Sequence, residues 1–330
     1  MTPDELAALV ARGDRRALAR AITLVESARS DDQEQAAHLL EQLLPKTGNA
    51  VRVGISGPPG VGKSSLIEAL GCWLVDRGEK VAVLAIDPSS PTTGGSLLGD
   101  KTRMERLQQR PQAFIRPSPS SGMLGGTAPH SRDALLLCEA AGFSVVLVET
   151  VGVGQSEIAI ADLVDTVVLL LPPGGGDELQ GSKRGLLERT DVIAVNKADG
   201  ERAQDAARTR ADYEAASRLF LQSVPGFQVP VLTVSALEGG GLDALWSAVQ
   251  SHRHALVSAG VLESRRAAQA ERALWRAVEE ALLAQLRAHP EVRAALPGAV
   301  DEVRAGRKSA ATAARALLAA LGAPAARPPS

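Results

Sequence analysis

Gly57-Pro58-Pro59-Gly60-Val61-Gly62-Lys63-Ser64 satisfies G-x-x-x-x-G-K-[ST], and Ser65 follows it. Glycines at this spacing let backbone N–H groups wrap phosphate oxygens, and a helix N-terminus directly behind them favours that negative charge. A lysine here reaches the β- and γ-phosphates of a nucleoside triphosphate, and the next hydroxyl ligates Mg²⁺. The pattern predicts a phosphate-binding loop with Lys63 as its cation and Ser64 as a metal ligand. The flanks agree: VRVGIS over 51–56 reads as a strand, and helical spacing begins near Gly62.

Asn196-Lys197-Ala198-Asp199 follows the apolar run DVIAV, and loops at the carboxyl ends of strands are where open α/β sheets bind ligands. The segment resembles the N-K-x-D base-recognition motif of P-loop GTPases. An aspartate there accepts from both the N1–H and the 2-amino group of guanine, a donor pair that adenine lacks. Ser235-Ala236-Leu237, after VPVLTV, resembles the S-A-x loop that backs the base. Glu149-Thr150-Val151-Gly152 stands where GTPases carry D-x-x-G, whose glycine amide senses the γ-phosphate while the acid approaches Mg²⁺. Here the acid is glutamate, a departure from the commonest pattern. Gln155 stands three residues past Gly152 rather than directly after it, and is the candidate to orient the attacking water. Asp87 and Asp100 are candidate metal-site residues, with Lys101 and Arg103 expected near phosphate. The run from Pro172 to Lys183 holds three successive glycines and reads as a switch or a simple connector.

Of 36 basic residues only seven are lysine, and four of them (Lys63, Lys101, Lys183 and Lys197) fall in these loops. A compact ammonium and a planar guanidinium do different chemistry, so lysine in an arginine-rich chain points to a lysine-specific task.

The elements that must position these residues follow from texture. Short apolar runs at 51–56, 80–86, 144–149, 165–171, 191–195 and 229–234 predict strands. Helical patterns fill about 62–77, 130–141, 177–189, 201–222 and 241–257. Unbroken apolar strands alternating with helices predict an α/β fold with a mostly parallel sheet, covered on both faces. Residues 4–45 read as helical with one break, at Ser30-Asp31-Asp32, where an N-cap starts a second helix. Past residue 260 the pattern is helical again: Trp275, Val278, Leu282 and Leu286 form an apolar stripe suited to an intersubunit contact. Pro290 and Pro297 are expected to interrupt it. The organisation expected is an N-terminal helical extension (1–49), a nucleotide-binding domain (50–257) and a C-terminal helical arm and tail (258–330).

Composition narrows the function. A formal charge of −2 lacks the basic excess that nucleic-acid binding requires, and 2% aromatic residues offer few stacking platforms. No run of 18 apolar residues suggests a membrane span. The N-terminus carries no apolar signal region, and Cys72 and Cys138 lack ligand or disulfide spacing, so the cytoplasm is the expected compartment. His252 and His254 are alternate residues on a helix with no third ligand in view, and are expected on a solvated surface.

Taken together, GPPGVGKSS, IDPSSP, TGGSLLGDKTRM, FIRPSPSSGMLGG, LLCEAAGF, ETVGVGQSE, GGGDELQGSKRG and NKAD occur in the order found in the MeaB/ArgK family of P-loop GTPases, which the chain resembles densely over about residues 50–240. That resemblance implies a homodimeric, Mg²⁺-dependent GTPase, with the C-terminal arm forming the dimer. It implies a partner, an adenosylcobalamin-dependent acyl-CoA mutase of the methylmalonyl-CoA or isobutyryl-CoA type, whose cofactor delivery and protection GTP hydrolysis would gate. Asp177, Gln180 and Lys183 match a family switch loop that links partner binding to hydrolysis, with Lys183 as a transition-state cation. The D-x-H-x-x-G corrinoid motif is absent and the five histidines are scattered, so cobalamin is expected on the partner. Two other readings remain open, a metal-delivery GTPase of related fold and a nucleotide-switched protein that recruits a membrane or partner.

Overall fold

The computed structural model describes residues 1–27, 29–86, 104–117, 127–150, 160–174, 188–217 and 224–321. Among these residues seven strands, β1 (Val51–Ser56), β2 (Val81–Ile86), β3 (Ala113–Pro117), β4 (Val145–Thr150), β5 (Thr166–Leu171), β6 (Val192–Val195) and β7 (Val231–Thr233), form one sheet in the order β3-β2-β4-β1-β5-β6-β7. Every pairing is parallel. All strands therefore point their carboxyl ends to the same edge, and β1 lies in the middle between β4 and β5.

The apolar strands have two different customers, one per face, because successive side chains alternate across a strand. Ala82, Leu84, Val146 and Val148 pack under the N-terminal helices α1 (Pro3–Ala11), α2 (Arg15–Val25) and α3 (Ser30–Leu43), and under α6 (Thr127–Ala140). Val53, Ile55, Val81, Val83, Val145 and Leu147 face α4 (Lys63–Val75), the short α5 (Glu105–Gln108) and α8 (Leu242–Ser258). A third cluster joins Ile193 and Val195 to Ala206 and Tyr213 of α7 (Ala203–Ser217). Helices α1–α3 thus share one hydrophobic cluster with the sheet.

Several expectations need correction. The helical reading of residues 4–29 missed a break after α1, where Gly13 takes φ +80° and the Asp14 carboxylate accepts from Ala17 N at 2.8 Å to cap α2. The third helix begins at Ser30 itself, behind Arg29. Strand β3 was not anticipated. It is five residues long, carries Arg116 and ends in Pro117, a residue tolerated only at an edge such as this one. The helix expected at 177–189 lies largely outside the described residues. His252 is fully buried, with the Thr166 hydroxyl 2.9 Å from Nδ1 and the Asp191 carboxylate 3.1 Å from Nε2. It is not on a solvated surface. Its ring also lies 4.9 Å from that of Phe227.

Residues 1–270 form one compact unit and 271–330 a second, the division falling inside α9 (Val261–Ala288). Within the first unit, Arg266 pairs with Asp165 at 2.6 Å and donates to the Ala50 carbonyl at 3.0 Å. Gln269 donates to the carbonyls of Ala161 at 3.0 Å and Val164 at 2.7 Å. Within the second, α10 (Pro290–Arg304) packs on α11 (Ala310–Leu321). Pro290 starts α10, but Pro297 does not interrupt it. Proline removes one helical hydrogen bond, and the carbonyl this frees belongs to Arg293, an exposed residue that water can satisfy. Leu274, Trp275, Val278, Leu282 and Leu283 are exposed on α9. Among the described residues no helix is long and apolar enough to cross a membrane.

Candidate nucleotide-binding site

The carboxyl edge of the sheet gathers residues that are far apart in sequence. From β1 the chain enters the glycine loop and then α4. Gly57 (φ +150°) lies so close to β5 that a Cβ would sit 2.5 Å from the Leu170 carbonyl oxygen, and Gly62 (φ +95°) would place one 2.6 Å from Asn196 Nδ2. Both backbone conformations favour glycine. Lys63 is buried at the first position of α4, and its Nζ donates to the carbonyls of Gly57 at 2.7 Å and Pro58 at 3.1 Å. The ammonium is thus held over the loop it follows. Pro59 and Gly60 form the exposed tip, with Val61 buried behind them.

Next to this loop stands the end of β4. Parallel pairing sets Ile55 opposite Glu149, and the buried Glu149 carboxylate accepts from Ser64 Oγ at 2.6 Å. A hydroxyl and a carboxylate in contact are hard oxygen donors of the kind Mg²⁺ takes.

The loop after β6 reaches the glycine loop from the other side. Asn196 is buried; its Nδ2 donates to the Val61 carbonyl at 2.9 Å, and its Oδ1 accepts from Ala236 N at 3.2 Å. Lys197 takes φ +60° and donates from Nζ to the Gly60 carbonyl at 2.7 Å. Asp199 accepts from Ser235 Oγ at 2.5 Å, and that same hydroxyl oxygen accepts from Glu238 N at 3.0 Å. The Asp199 carboxylate is thereby anchored to the loop after β7. Leu237 is 84% exposed and forms an open flank.

Between these loops lies a cavity of about 630 Å³ whose walls include Gly62, Ser65, Lys197, Asp199, Ala236 and Leu237. Its volume suits a nucleotide, and its walls take in both the start of α4 at Gly62 and Ser65 and the Asp199 carboxylate. The structure brings together Gly57 to Ser65, Glu149, Asn196, Lys197, Asp199 and Ser235 to Leu237. Asp87, Asp100, Lys101, Arg103, Gly152, Gln155, Asp177, Gln180 and Lys183 lie outside the described residues. Sequence reasoning missed Glu68 and Arg106, which also line the cavity. The three-residue step from Ser65 to Glu68 along one helix face was an available signal; nothing in the sequence marked Arg106.

A G-x-x-x-x-G-K-[ST] loop and an N-K-x-D loop meeting at the carboxyl edge of a parallel sheet define a P-loop GTPase. The chain belongs to the MeaB family: the model described as methylmalonyl Co-A mutase-associated GTPase MeaB matches residues 18–291. It is 53% identical over 317 residues to the probable GTPase Rv1496 of Mycobacterium tuberculosis, covering 96% of this chain and 94% of that one. A mouse protein, methylmalonic aciduria type A homolog, mitochondrial, is 43% identical over 325 residues, covering 96% of this chain and 78% of its own. Among solved structures, that of an LAO/AO transport system kinase superposes with a TM-score of 0.74 at 37% identity, covering 96% of both chains. Relatives at 48% and 53% identity are named GTPases, and GTP hydrolysis is the activity of this chain.

Proposed function

We propose that this GTPase uses GTP binding and hydrolysis to gate adenosylcobalamin delivery to a methylmalonyl-CoA mutase or a close relative, and to protect or reactivate that enzyme. The observation that carries the nucleotide chemistry is Asn196, whose amide ties the phosphate loop at Val61 to the base loop at Ala236. Lys63 holds positive charge at the β- and γ-phosphates, and the amides of Gly60, Gly62, Ser64 and Ser65 bind phosphate oxygens. Asp199, oriented by Ser235, accepts from guanine, while Lys197, Ala236 and Leu237 border the base. Ser64 and Glu149 would hold Mg²⁺, which supplies charge neutralisation as the γ-phosphoryl group leaves. Glu149 then also fixes Ser64 before the metal arrives.

The remaining assignments rest on the family. Asp87 and Asp100 complete the metal site, Gly152 reads the γ-phosphate, and Gln155 orients water. Lys101, Arg103, Asp177, Gln180 and Lys183 form the switch segments that answer to the partner. A lysine brought onto the transferring phosphoryl group stabilises its charge as an arginine finger does, worth about 10³-fold or more. Cobalamin is assigned to the mutase. The mutase role is supported by the family's description and by the name of the mouse relative. A homodimer is supported by the exposed apolar residues of α9, where Trp275 is 60% and Leu282 55% accessible.

The test is GTP turnover by the full chain with and without an adenosylcobalamin-dependent methylmalonyl-CoA mutase. Acceleration on mixing is expected, together with loss of turnover in Lys63→Ala. An unchanged rate across mutase concentrations, with cofactor loading equally indifferent to GTP, overturns the chaperone reading and leaves the GTPase in place.

A further inference from the structure

The cavity is walled by helix α4 as well as by the loops after β6 and β7. Ser65, Glu68 and Ala69 line it from α4, at the three- and four-residue steps that share one helix face. Arg106 of α5 faces the same space. Gly62 and Ser65 beside the glycine loop and Asp199 after β6 line this one cavity, and the sugar of a nucleotide lies between its phosphates and its base.

Sugar hydroxyls are donors, and the strongest acceptor for a vicinal pair of them is a carboxylate. Among the described residues three carboxylates line the cavity: Asp199, Glu68 and Glu201. Asp199 is committed to the base end. Glu201 is exposed on the short turn Gly200–Arg202 that directly follows Asp199, and so belongs to that end too. Glu68 is half-buried, stands one helical turn from Ser65, and accepts from Arg106 N through Oε1 at 2.8 Å. That bond holds the side chain in place and caps the start of α5.

We infer that Glu68 is the sugar-reading residue of this GTPase: it accepts from a ribose hydroxyl and makes the site prefer ribonucleotides to deoxyribonucleotides. Arg106, through its backbone amide, is the positioning residue that aims Glu68. The inference deepens the guanine-nucleotide reading and rests on it.

Titration calorimetry with GDP, 2′-deoxy-GDP and 3′-deoxy-GDP tests it, on the wild-type chain, Glu68→Gln and the control Glu201→Gln. A hydrogen bond to a charged acceptor corresponds to about 10- to 100-fold in affinity. The wild type should prefer GDP to at least one deoxy analogue by that factor. Glu68→Gln should bring the ratio close to one without weakening the disfavoured analogue, while Glu201→Gln keeps it. Thermal melts of the ligand-free variants separate loss of the α5 cap from loss of the sugar contact. The inference is overturned if Glu68→Gln keeps the wild-type ratio, or if it weakens all three ligands equally. Failure of the wild type to bind GDP would instead strike the guanine-nucleotide reading underneath.

Discussion

The Asn196 side-chain amide donates to the Val61 carbonyl at 2.9 Å, so a residue after the sixth strand holds the phosphate loop that follows the first. The opposite end of the same side chain accepts from Ala236 N. One buried amide thereby ties the glycine loop after β1 to the loop after β7. Asn196→Ala removes both bonds and leaves a buried carbonyl without its donor, which costs about 1–3 kcal/mol. GTP affinity should fall about 10- to 100-fold in a chain that still folds. Gly62→Ala should act similarly, since its Cβ would push on Asn196 Nδ2. Fluorescent-nucleotide titration with circular dichroism checks both.

Base choice is the second expectation. Asp199 is held by Ser235 Oγ and is proposed to accept from two guanine donors. Asp199→Asn turns one acceptor into a donor, matching the carbonyl at position 2 of xanthine. Affinity should shift from GTP to xanthosine triphosphate, and competition binding would contradict the assignment if GTP remained the preferred ligand.

A third prediction concerns stability far from the nucleotide. Arg52 on β1 and Glu139 on α6 form a buried bidentate pair, both bonds at 2.8 Å, and Glu139 also accepts from Gly48 N. Glu139→Ala leaves a buried guanidinium uncompensated and should cost about 3–5 kcal/mol in chemical denaturation. The double replacement Arg52→Met with Glu139→Leu should recover much of that loss, because it removes both charges together.

Asp133 on α6 gives a pH prediction. Burial pushes its carboxyl up to about 6, against the lowering influence of His130 and Arg132. The folded protein therefore keeps this proton to higher pH than the unfolded chain does. Its contribution to stability is full below the ordinary carboxyl value and is lost as pH rises through about 6. Asp133→Asn carries no such penalty. It should exceed the wild type by about 1–3 kcal/mol at pH 7.5 and match it near pH 3.5. Denaturation curves at the two pH values decide the matter; a gap that does not change with pH would contradict it.

Legibility in the sequence followed locality. Strands β2, β5 and β6 are almost wholly apolar runs, and β1 and β4 are apolar apart from Arg52 and the polar residues at their carboxyl ends, because a parallel sheet covered on both faces leaves them no solvated side. Strand β3 hid because it is short, polar at Arg116 and ends in proline. The break at Gly13 hid because the apolar spacing of Leu6, Leu9 and Val10 is continued by Leu18 and Ile22, so periodicity alone reads through it. His252 looked like surface since its neighbours Arg253 and His254 are polar; burial between Thr166 and Asp191 is a matter of where strands β5 and β6 begin.

By itself the sequence determined the glycine loop after β1, the turn that carries Asn196 to Asp199 and the alternation of strands with helices. These depend on backbone freedom at particular glycines and on hydrophobic period, both of which are local. Tertiary structure alone decided that β1 lies between β4 and β5, so that Glu149 meets Ser64, Asn196 meets Val61, and Glu68 faces the space between them. Such contacts arise from crossover connections and the order in which strands pair, and no stretch of chain carries a record of its neighbours across the sheet.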